Sequence, residues 1–598
     1  MRHVDEVVSA TGLLGSFTTA GVLMAPDVHV AQTLGRLCGE KDAEVMLAAA
    51  LAVRALRHGS VCLELDSVRE RVAEQLRDPV LEEDVVDVDA LPWPEPLSWR
   101  EAVRHSPMVS QGADAEINDR PLRLVYDLLY LERYWAEETV VRTLLDQREQ
   151  TPPPLINAPA LARSLDALFD GRGLRADEED RQRLAAQKAA HSWTTIVAGG
   201  PGTGKTTTVA RLLAVLQEVS PEGLRIALAA PSGKASARLQ EAVGEAISQL
   251  PPGIEPPRIA SSSTLHKLLD ARGAGRGFGR GPSNPLPQEV VVVDEMSMVA
   301  LPLMARLLES LRPETRLLLV GDPHQLTSVD AGSVLADLVH SPRCSVVELE
   351  HTWRFGESID DLARAIKDGD ADRALALLDA DGPVRLVEAD AGHLALSDLP
   401  DVERSVISAG RAVHAASVVG DSAVALRALD EHRLLCAHRE GRWGVARWGR
   451  MVEDTLRTHV EGYGLQAQGG WYVGRPLLIT QNLRDLDLSN GDAGVVLATD
   501  QGLRAAIGTS GRARLMSPFL LDSVSSLHAM TVHKAQGSQF TDVTVVLPPP
   551  ESALLTRELL YTAVTRASQS VTLVGDPQAV RRAIETPAVR ASGLSRGW

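Results

Sequence analysis

Cysteine is scarce in this 598-residue chain: Cys38, Cys62, Cys344 and Cys436 lie far apart and form no CxxC pair. That spacing excludes a zinc ribbon and a disulfide framework, and it fits a reducing compartment. Positive charge is also in deficit, with 61 Lys and Arg against 79 Asp and Glu and a net charge of −18. A surface that grips nucleic acid or an anionic membrane over its whole extent is excluded, although a local basic groove is not. Long apolar runs are missing too. The strongest early one, Val45 to Val53, is bounded by Glu44 and Arg54 and is far too short to span a bilayer. The start of the chain has no basic segment followed by a clean apolar core, so no export signal is expected. Cytoplasmic location and no membrane contact are the expectations. What is present, 44% hydrophobic and 23% charged residues, is enough for several domains with real cores.

Three textures follow one another. Residues 1–150 are rich in Ala and Leu and read as a mainly helical domain, interrupted by an acidic loop (Glu82, Glu83, Asp84, Asp87, Asp89) and by Pro92, Pro94 and Pro96. Leu122 to Gln147 repeats at three- and four-residue spacing, which predicts one long amphipathic helix with Tyr126, Tyr130, Tyr134 and Trp135 in a core or a subunit interface. The prolines at Thr151 to Pro154 open an expected linker, 151–174. Beyond it, apolar β-type runs ending at Ala198, Ala230, Val293 and Val320 alternate with helical segments, and a second series ends at Ala437, Val532, Leu547 and Val574. Such alternation predicts parallel sheets with helices on both faces, in two α/β lobes, 175–350 and 351–590, with a short tail at 591–598.

The chemistry starts at Gly199, Gly200, Pro201, Gly202, Thr203, Gly204, Lys205, Thr206 and Thr207. This is GxxxxGK(S/T) between a strand and a helix, where inward-facing backbone N–H groups and a helix N-terminus surround phosphate oxygens. Lys205 reaches the β- and γ-phosphates, and the Thr206 hydroxyl suits Mg²⁺. Val291 to Val293 followed by Asp294 and Glu295 supplies the partner: Asp294 for the metal shell, Glu295 to orient or deprotonate the attacking water. ATP with Mg²⁺ is the cofactor pair this predicts. Gln325, in Leu319 to Leu326 after a strand, is placed to sense the γ-phosphate, and Arg354 and Arg566 are the remaining cations of interest.

The ordered set GGPGTGKT, APSGKASARL (Ala230 to Leu239), STLHKLL (Ser263 to Leu269), VVVDE, VGDPHQL, WRF, TVHKAQGSQF (Thr531 to Phe540) and LLYTAVTRA resembles the superfamily 1 helicases, and within them the RecD subunits of exodeoxyribonuclease V, the RecBCD complex. The resemblance spans about Gln187 to Asp576 and extends more weakly into Leu47 to Leu65 and Pro121 to Glu138. It implies an α/β fold of two RecA-like P-loop lobes with small insertions behind a mainly helical, partner-docking N-terminal domain. It also implies a role for Gln187 at the adenine edge and arginine-finger roles for Arg354 and Arg566. Ser232, Lys234, Thr264, His266, Thr531 and His533 become contacts to single-stranded DNA, although each also suits a loop cap. Gln539 stands where related helicases usually carry Glu, so a nucleotide contact there is open. The Gly- and Arg-rich stretch at about 270–288, with Arg272, Arg276 and Arg280, resembles a strand-separating hairpin, and about 475–525 a small β-barrel. The implied activity is ATP-driven 5′-to-3′ translocation on DNA at duplex ends, with RecB- and RecC-like partners, for double-strand-end repair. A stand-alone motor on DNA or RNA and a non-motor P-loop switch are the alternatives. No nuclease centre is assigned to this chain.

Overall fold

The computed structural model describes residues 10–76, 87–113, 119–169, 179–220, 223–273, 277–328, 330–341, 344–351, 357–465, 469–509 and 512–596. Glu82, Glu83, Asp84, Arg276 and Arg354 lie outside the described residues.

The apolar run at Val45 to Val53 sits inside the helix Ala43–Arg57, which Asp42 caps by accepting from the backbone N–H groups of Glu44 and Val45. Its Leu47 to Ala52 face is buried in the N-terminal core. No described helix is long and apolar enough to cross a membrane. Four strands accompany it: β1 (Cys62–Glu64), β2 (Val109–Gln111), β3 (Leu122–Val125) and β4 (Leu128–Leu131), in the order β1-β4-β3-β2. The single helix expected over Leu122 to Gln147 is therefore corrected, while the N-terminal region is mainly helical as expected, with this small sheet beside its helices. Leu122 to Leu131 form a hairpin that reverses at Tyr126, whose φ is 56°, and the helix covers only Glu132–Gln150. Two four-residue apolar strands joined by a two-residue turn mimic helical spacing, because short apolar runs fit both periods. Tyr130 and Trp135 do pack inside, but Tyr126 is exposed at the turn.

The N-terminal region and the first lobe share one core. Val61, Tyr130, Trp135 and Leu145 join Leu301, Met304 and Leu317 in it. Arg148, buried at the end of Glu132–Gln150, donates to Thr194 Oγ1 at 2.8 Å and to the Trp193 carbonyl at 2.7 Å. The expected linker is also partly corrected. Asn157 caps a helix, Ala158–Leu168, whose Leu161, Leu165 and Leu168 pack with Leu212 and Leu213 of the first lobe. The expected tail is no free end either: Ala591 and Leu594 are buried in the shared core, Val61 N donates to the Ala591 carbonyl at 2.8 Å, and Gly593 N donates to Glu138 at 3.0 Å.

The first lobe holds β5 (Thr194–Gly199), β6 (Ile226–Ala230), β7 (Ser263–Thr264), β8 (Val290–Val293), β9 (Arg316–Gly321) and β10 (Ser345–Leu349), ordered β10-β5-β9-β8-β6-β7 and paired in parallel throughout. Their near-continuous Val, Ile, Leu and Ala content follows from burial on both faces. The second lobe combines β11 (Val384–Glu388), β12 (His432–Cys436), β18 (Ala529–Thr531), β19 (Phe540–Val546) and β20 (Ala567–Gly575), again all parallel, in the order β11-β20-β19-β12-β18. Between β12 and β18 runs an antiparallel sheet of β13 (Pro476–Ile479), β14 (Ala493–Thr499), β15 (Gly502–Thr509), β16 (Arg512–Met516) and β17 (Val524–Ser526). Its order, β16-β15-β14-β13-β17, leaves β16 and β17 unpaired with each other, so among the described residues it is an open sheet where a barrel was expected. At 270–288 the described backbone makes antiparallel bridges, Ala271 to Phe278 and Gly281 to Asn284.

Candidate nucleotide cleft and nucleic-acid edge

Each functional loop leaves the C-terminal end of a parallel strand, where α/β sheets form their binding crevices. The phosphate loop follows β5. Gly204 caps the helix Lys205–Glu218 with φ 80°, a left-handed conformation that disfavours a side chain. A Cβ on Gly200 would stand 2.8 Å from the hydroxyl of Tyr561, so the second lobe presses directly on the loop. Lys205 Nζ donates to the carbonyls of Gly199 and Gly200, both at 2.7 Å, and burial lowers its pKa against the pull of Asp322, Glu295 and Asp294.

Asp294 and Glu295 directly follow β8. Asp294 N donates to the Ala229 carbonyl at 2.9 Å, and Asp294 Oδ1 accepts from Glu295 N at 2.9 Å. Glu295 takes φ 53° and ψ 43°, an uncommon conformation for a non-glycine residue that sets its carboxylate apart from the strand direction. Burial, with the charge of Glu295 beside it, raises the Asp294 pKa. A desolvated carboxylate with a second one beside it calls for a compensating cation. Asp322 and Gln325 follow β9 and are almost wholly buried. Gln325 Nε2 donates to Asp322 Oδ2 at 3.0 Å, which fixes the amide and leaves its Oε1 buried with no protein partner.

The opposite wall belongs to the second lobe. Gly537, Ser538, Gln539 and Arg566 face Lys205, Thr206, Thr207, Asp294, Glu295, Asp322 and Gln325 across a cleft with a cavity volume of about 320 Å³. Arg566 is buried, with Nε donating to the Thr562 carbonyl at 3.0 Å and Nη1 to the Ser538 carbonyl at 3.2 Å. Ser538 Oγ, like Gln325 Oε1, is a buried polar atom without a protein partner. Leu326 N donates to Thr562 Oγ1 at 2.8 Å, so the loop that carries Gln325 is bonded to the helix that leads to Arg566. Orphaned polar atoms, an ammonium at the glycine loop and a carboxylate pair fit a nucleoside triphosphate with Mg²⁺, which Thr206 and Asp294 would be the residues to hold.

Most of the nucleotide residues expected from the sequence meet here. Gln187 does not: it is exposed on the helix Arg181–His191 and is absent from the cleft lining. Gln539 lines the cleft. Asp322, Arg238, Ser538 and Tyr561 escaped the sequence reading although all stand inside quoted motifs. For Asp322 the signal was available, a carboxylate directly after a β-strand, as at Asp294.

The six residues expected at nucleic acid lie at or just after the C-terminal ends of strands in both lobes. Ser232 follows β6, Thr264 ends β7 and Thr531 ends β18. All three hydroxyls are engaged locally, accepting from the N–H groups of Ala235, Lys267 and Lys534 at 3.2, 3.2 and 3.3 Å. Thr531 is buried. His266 is exposed, its ring 6.2 Å from that of Phe278. Burial and the nearby charges of Arg590 and Arg439 lower the His533 pKa. Lys234 is pushed down to about 8, chiefly by burial and then by Arg238, with Asp430 and Asp492 of the second lobe opposing the shift.

A glycine-rich phosphate loop, paired carboxylates and a cleft closed by a second parallel lobe that brings an arginine define a two-lobed P-loop motor ATPase. Family models agree in sequence order: the N-terminal domain of the RecBCD enzyme subunit RecD matches residues 19–130, an AAA domain 178–389, and a UvrD-like helicase C-terminal domain 526–574. The RecBCD enzyme subunit RecD of Mycolicibacterium smegmatis is 48% identical over 96% of this chain and 98% of its own length. That of Mycobacterium tuberculosis is 46% identical over 99% and 98%, and that of Haemophilus influenzae 30% identical over 93% of each. The chain belongs to the RecD family of superfamily 1 helicases.

Proposed function

We propose that this chain is the ATP-driven 5′-to-3′ DNA helicase subunit of a RecBCD-type helicase–nuclease, acting in the cytoplasm on single strands at duplex ends. RecB- and RecC-like subunits are its partners and Mg²⁺ its metal. The observation that carries the reading is the division of the cleft, with Lys205, Asp294, Glu295 and Gln325 on one lobe and Arg566 on the other.

Lys205 exchanges its two carbonyl partners for the β- and γ-phosphate oxygens of ATP. Thr206 and Asp294 would hold Mg²⁺, whose charge would offset that of the phosphates and of the carboxylate pair. Glu295 accepts the proton of the attacking water, and Gln325, its amide fixed by Asp322, presents Oε1 to that water. Arg566 places positive charge where the transferring phosphoryl group gathers negative charge. Because Arg566 comes from the second lobe, hydrolysis requires the lobes together, and the loss of the γ-phosphate removes what holds them. That is a hinge cycle, and an edge bearing Lys234, His266 and neighbouring hydroxyls converts it into displacement along a phosphate backbone.

The test is strand polarity with the partners present. The chain, purified with its native-host partners, is expected to strip streptavidin from the 3′ end of a biotinylated single strand in an ATP-dependent manner. Displacement from the 5′ end alone would reverse the polarity, and a chain that purifies alone and unwinds duplex by itself would remove the partners.

A further inference from the structure

Arg238 has no part in the chemistry above, yet it bridges the two lobes inside the cleft. It stands on the helix Gly233–Ser248, one turn after Lys234, and lines the cleft beside Asp294 and Glu295. Its guanidinium donates across the cleft to the carbonyl of Gly537. The Gly537 backbone takes φ 68°, and a Cβ there would lie 3.7 Å from Ala235 Cβ and 3.9 Å from Glu295 Oε1, so this turn of the second lobe rests against the first. The next carbonyl, that of Ser538, accepts from Arg566 Nη1 at 3.2 Å. The other side-chain hydrogen bonds of Arg566 run to Thr562, on the helix that precedes it, and to Thr565, just past that helix's end. The Gly537–Ser538 turn is thus held by the first lobe on one side and holds Arg566 on the other.

We infer that Arg238 is a positioning residue for hydrolysis: by pinning the Gly537–Ser538 turn to the first lobe, it sets the direction in which Arg566 meets the γ-phosphate. The inference rests on the ATPase reading of the cleft. Arginine suits the task because its planar fork keeps direction where a flexible ammonium does not. The same helix begins at Ser232 and Lys234, so a phosphate backbone engaged at its N-terminus acts on the element that holds Arg566 in register.

A double-mutant cycle on the full chain tests this, with DNA-stimulated ATP hydrolysis as the readout. Arg238→Met is expected to lower kcat by about 10- to 100-fold and to leave KM for ATP within about threefold, the pattern of a lost transition-state interaction. In the Arg566→Ala background the same change is expected to cost less than about twofold, since one pathway is already broken. Arg238→Lys, which still reaches a carbonyl, recovers part of kcat, and it carries the same cycle if the Met variant fails to fold. Losses that multiply in the double mutant, a raised KM with kcat retained, or unchanged kinetics would each overturn the role. A wild-type chain without ATPase activity would instead remove the reading beneath it.

Discussion

The two parallel sheets of the motor are built alike and equipped differently. In the first lobe the loops after β5, β8 and β9 carry a lysine, a carboxylate pair and the Asp322–Gln325 unit. In the second lobe the described residues bring to the cleft Arg566 and a turn of small and amide residues, Gly537 to Gln539. In the proposed reading the first lobe binds and polarises the triphosphate, and Arg566 of the second lobe is the cation set against the departing charge. An enzyme divided in this way turns over only when closed, and that makes chemistry report on the distance between lobes.

Removing the defining group from each side is the strongest way to break the comparison. Lys205→Ala is expected to abolish ATP hydrolysis, with a loss of at least about 10³-fold and weakened nucleotide binding, because the phosphate site itself is lost. Arg566→Ala is expected to lower kcat by about 10³-fold while nucleotide still binds, as for other arginine fingers. Steady-state hydrolysis beside equilibrium binding of a fluorescent ATP analogue separates the two. Equal loss of binding in both variants would mean that the lobes are not specialised.

Gln325→Ala sharpens the first-lobe side. It leaves Asp322 in place but removes the oriented amide, and a fall in kcat of roughly 10- to 100-fold with KM little changed is expected from rapid-quench measurements.

Lys234 probes the DNA edge by pH. With a pKa near 8 it loses its charge between about pH 7 and pH 9, so affinity for single-stranded DNA should fall across that window. Lys234→Arg should hold affinity flat there in fluorescence anisotropy titrations.

The smallest effect concerns the seat of the C-terminal segment. Glu138 is buried under Gly593 and its pKa is raised to about 7 from 4.5. The folded state therefore holds the proton more tightly than the unfolded one. Its stabilising contribution is complete below about pH 4.5 and is lost as pH rises through 7. Glu138→Gln, which can still accept from Gly593 N, should reduce the fall in thermal stability between pH 5 and pH 8.

Legibility in the sequence followed the same division. The first-lobe machinery could be read because its glycines, lysine and carboxylates occur within short stretches flanked by strands buried on both faces, so local pattern and tertiary role coincide. Arg566 could be named only through the resemblance, since nothing local distinguishes it from any other buried arginine at a helix end. The hairpin at Leu122 to Leu131 was misread because eight apolar or aromatic positions in ten satisfy either period, and the turn is made by Tyr126, which is not a usual turn residue. The helix Ala158–Leu168 and the buried Ala591 and Leu594 were missed because their partners, Leu212 in one case and Val61 and Glu138 in the other, are distant in sequence. Gln187 was named through the resemblance, upstream of the phosphate loop, and in the structure it lies exposed on the helix Arg181–His191. Hydroxyl contacts were the hardest, because Ser232, Thr264 and Thr531 serve as local caps in this structure whatever they do on DNA.

The central claim, that the divided cleft drives a DNA motor, meets its most direct test in ATP hydrolysis by the wild-type chain with and without single-stranded DNA, beside Arg566→Ala. The account predicts strong stimulation of the wild type by DNA and none of the variant; a wild-type rate indifferent to nucleic acid would contradict it.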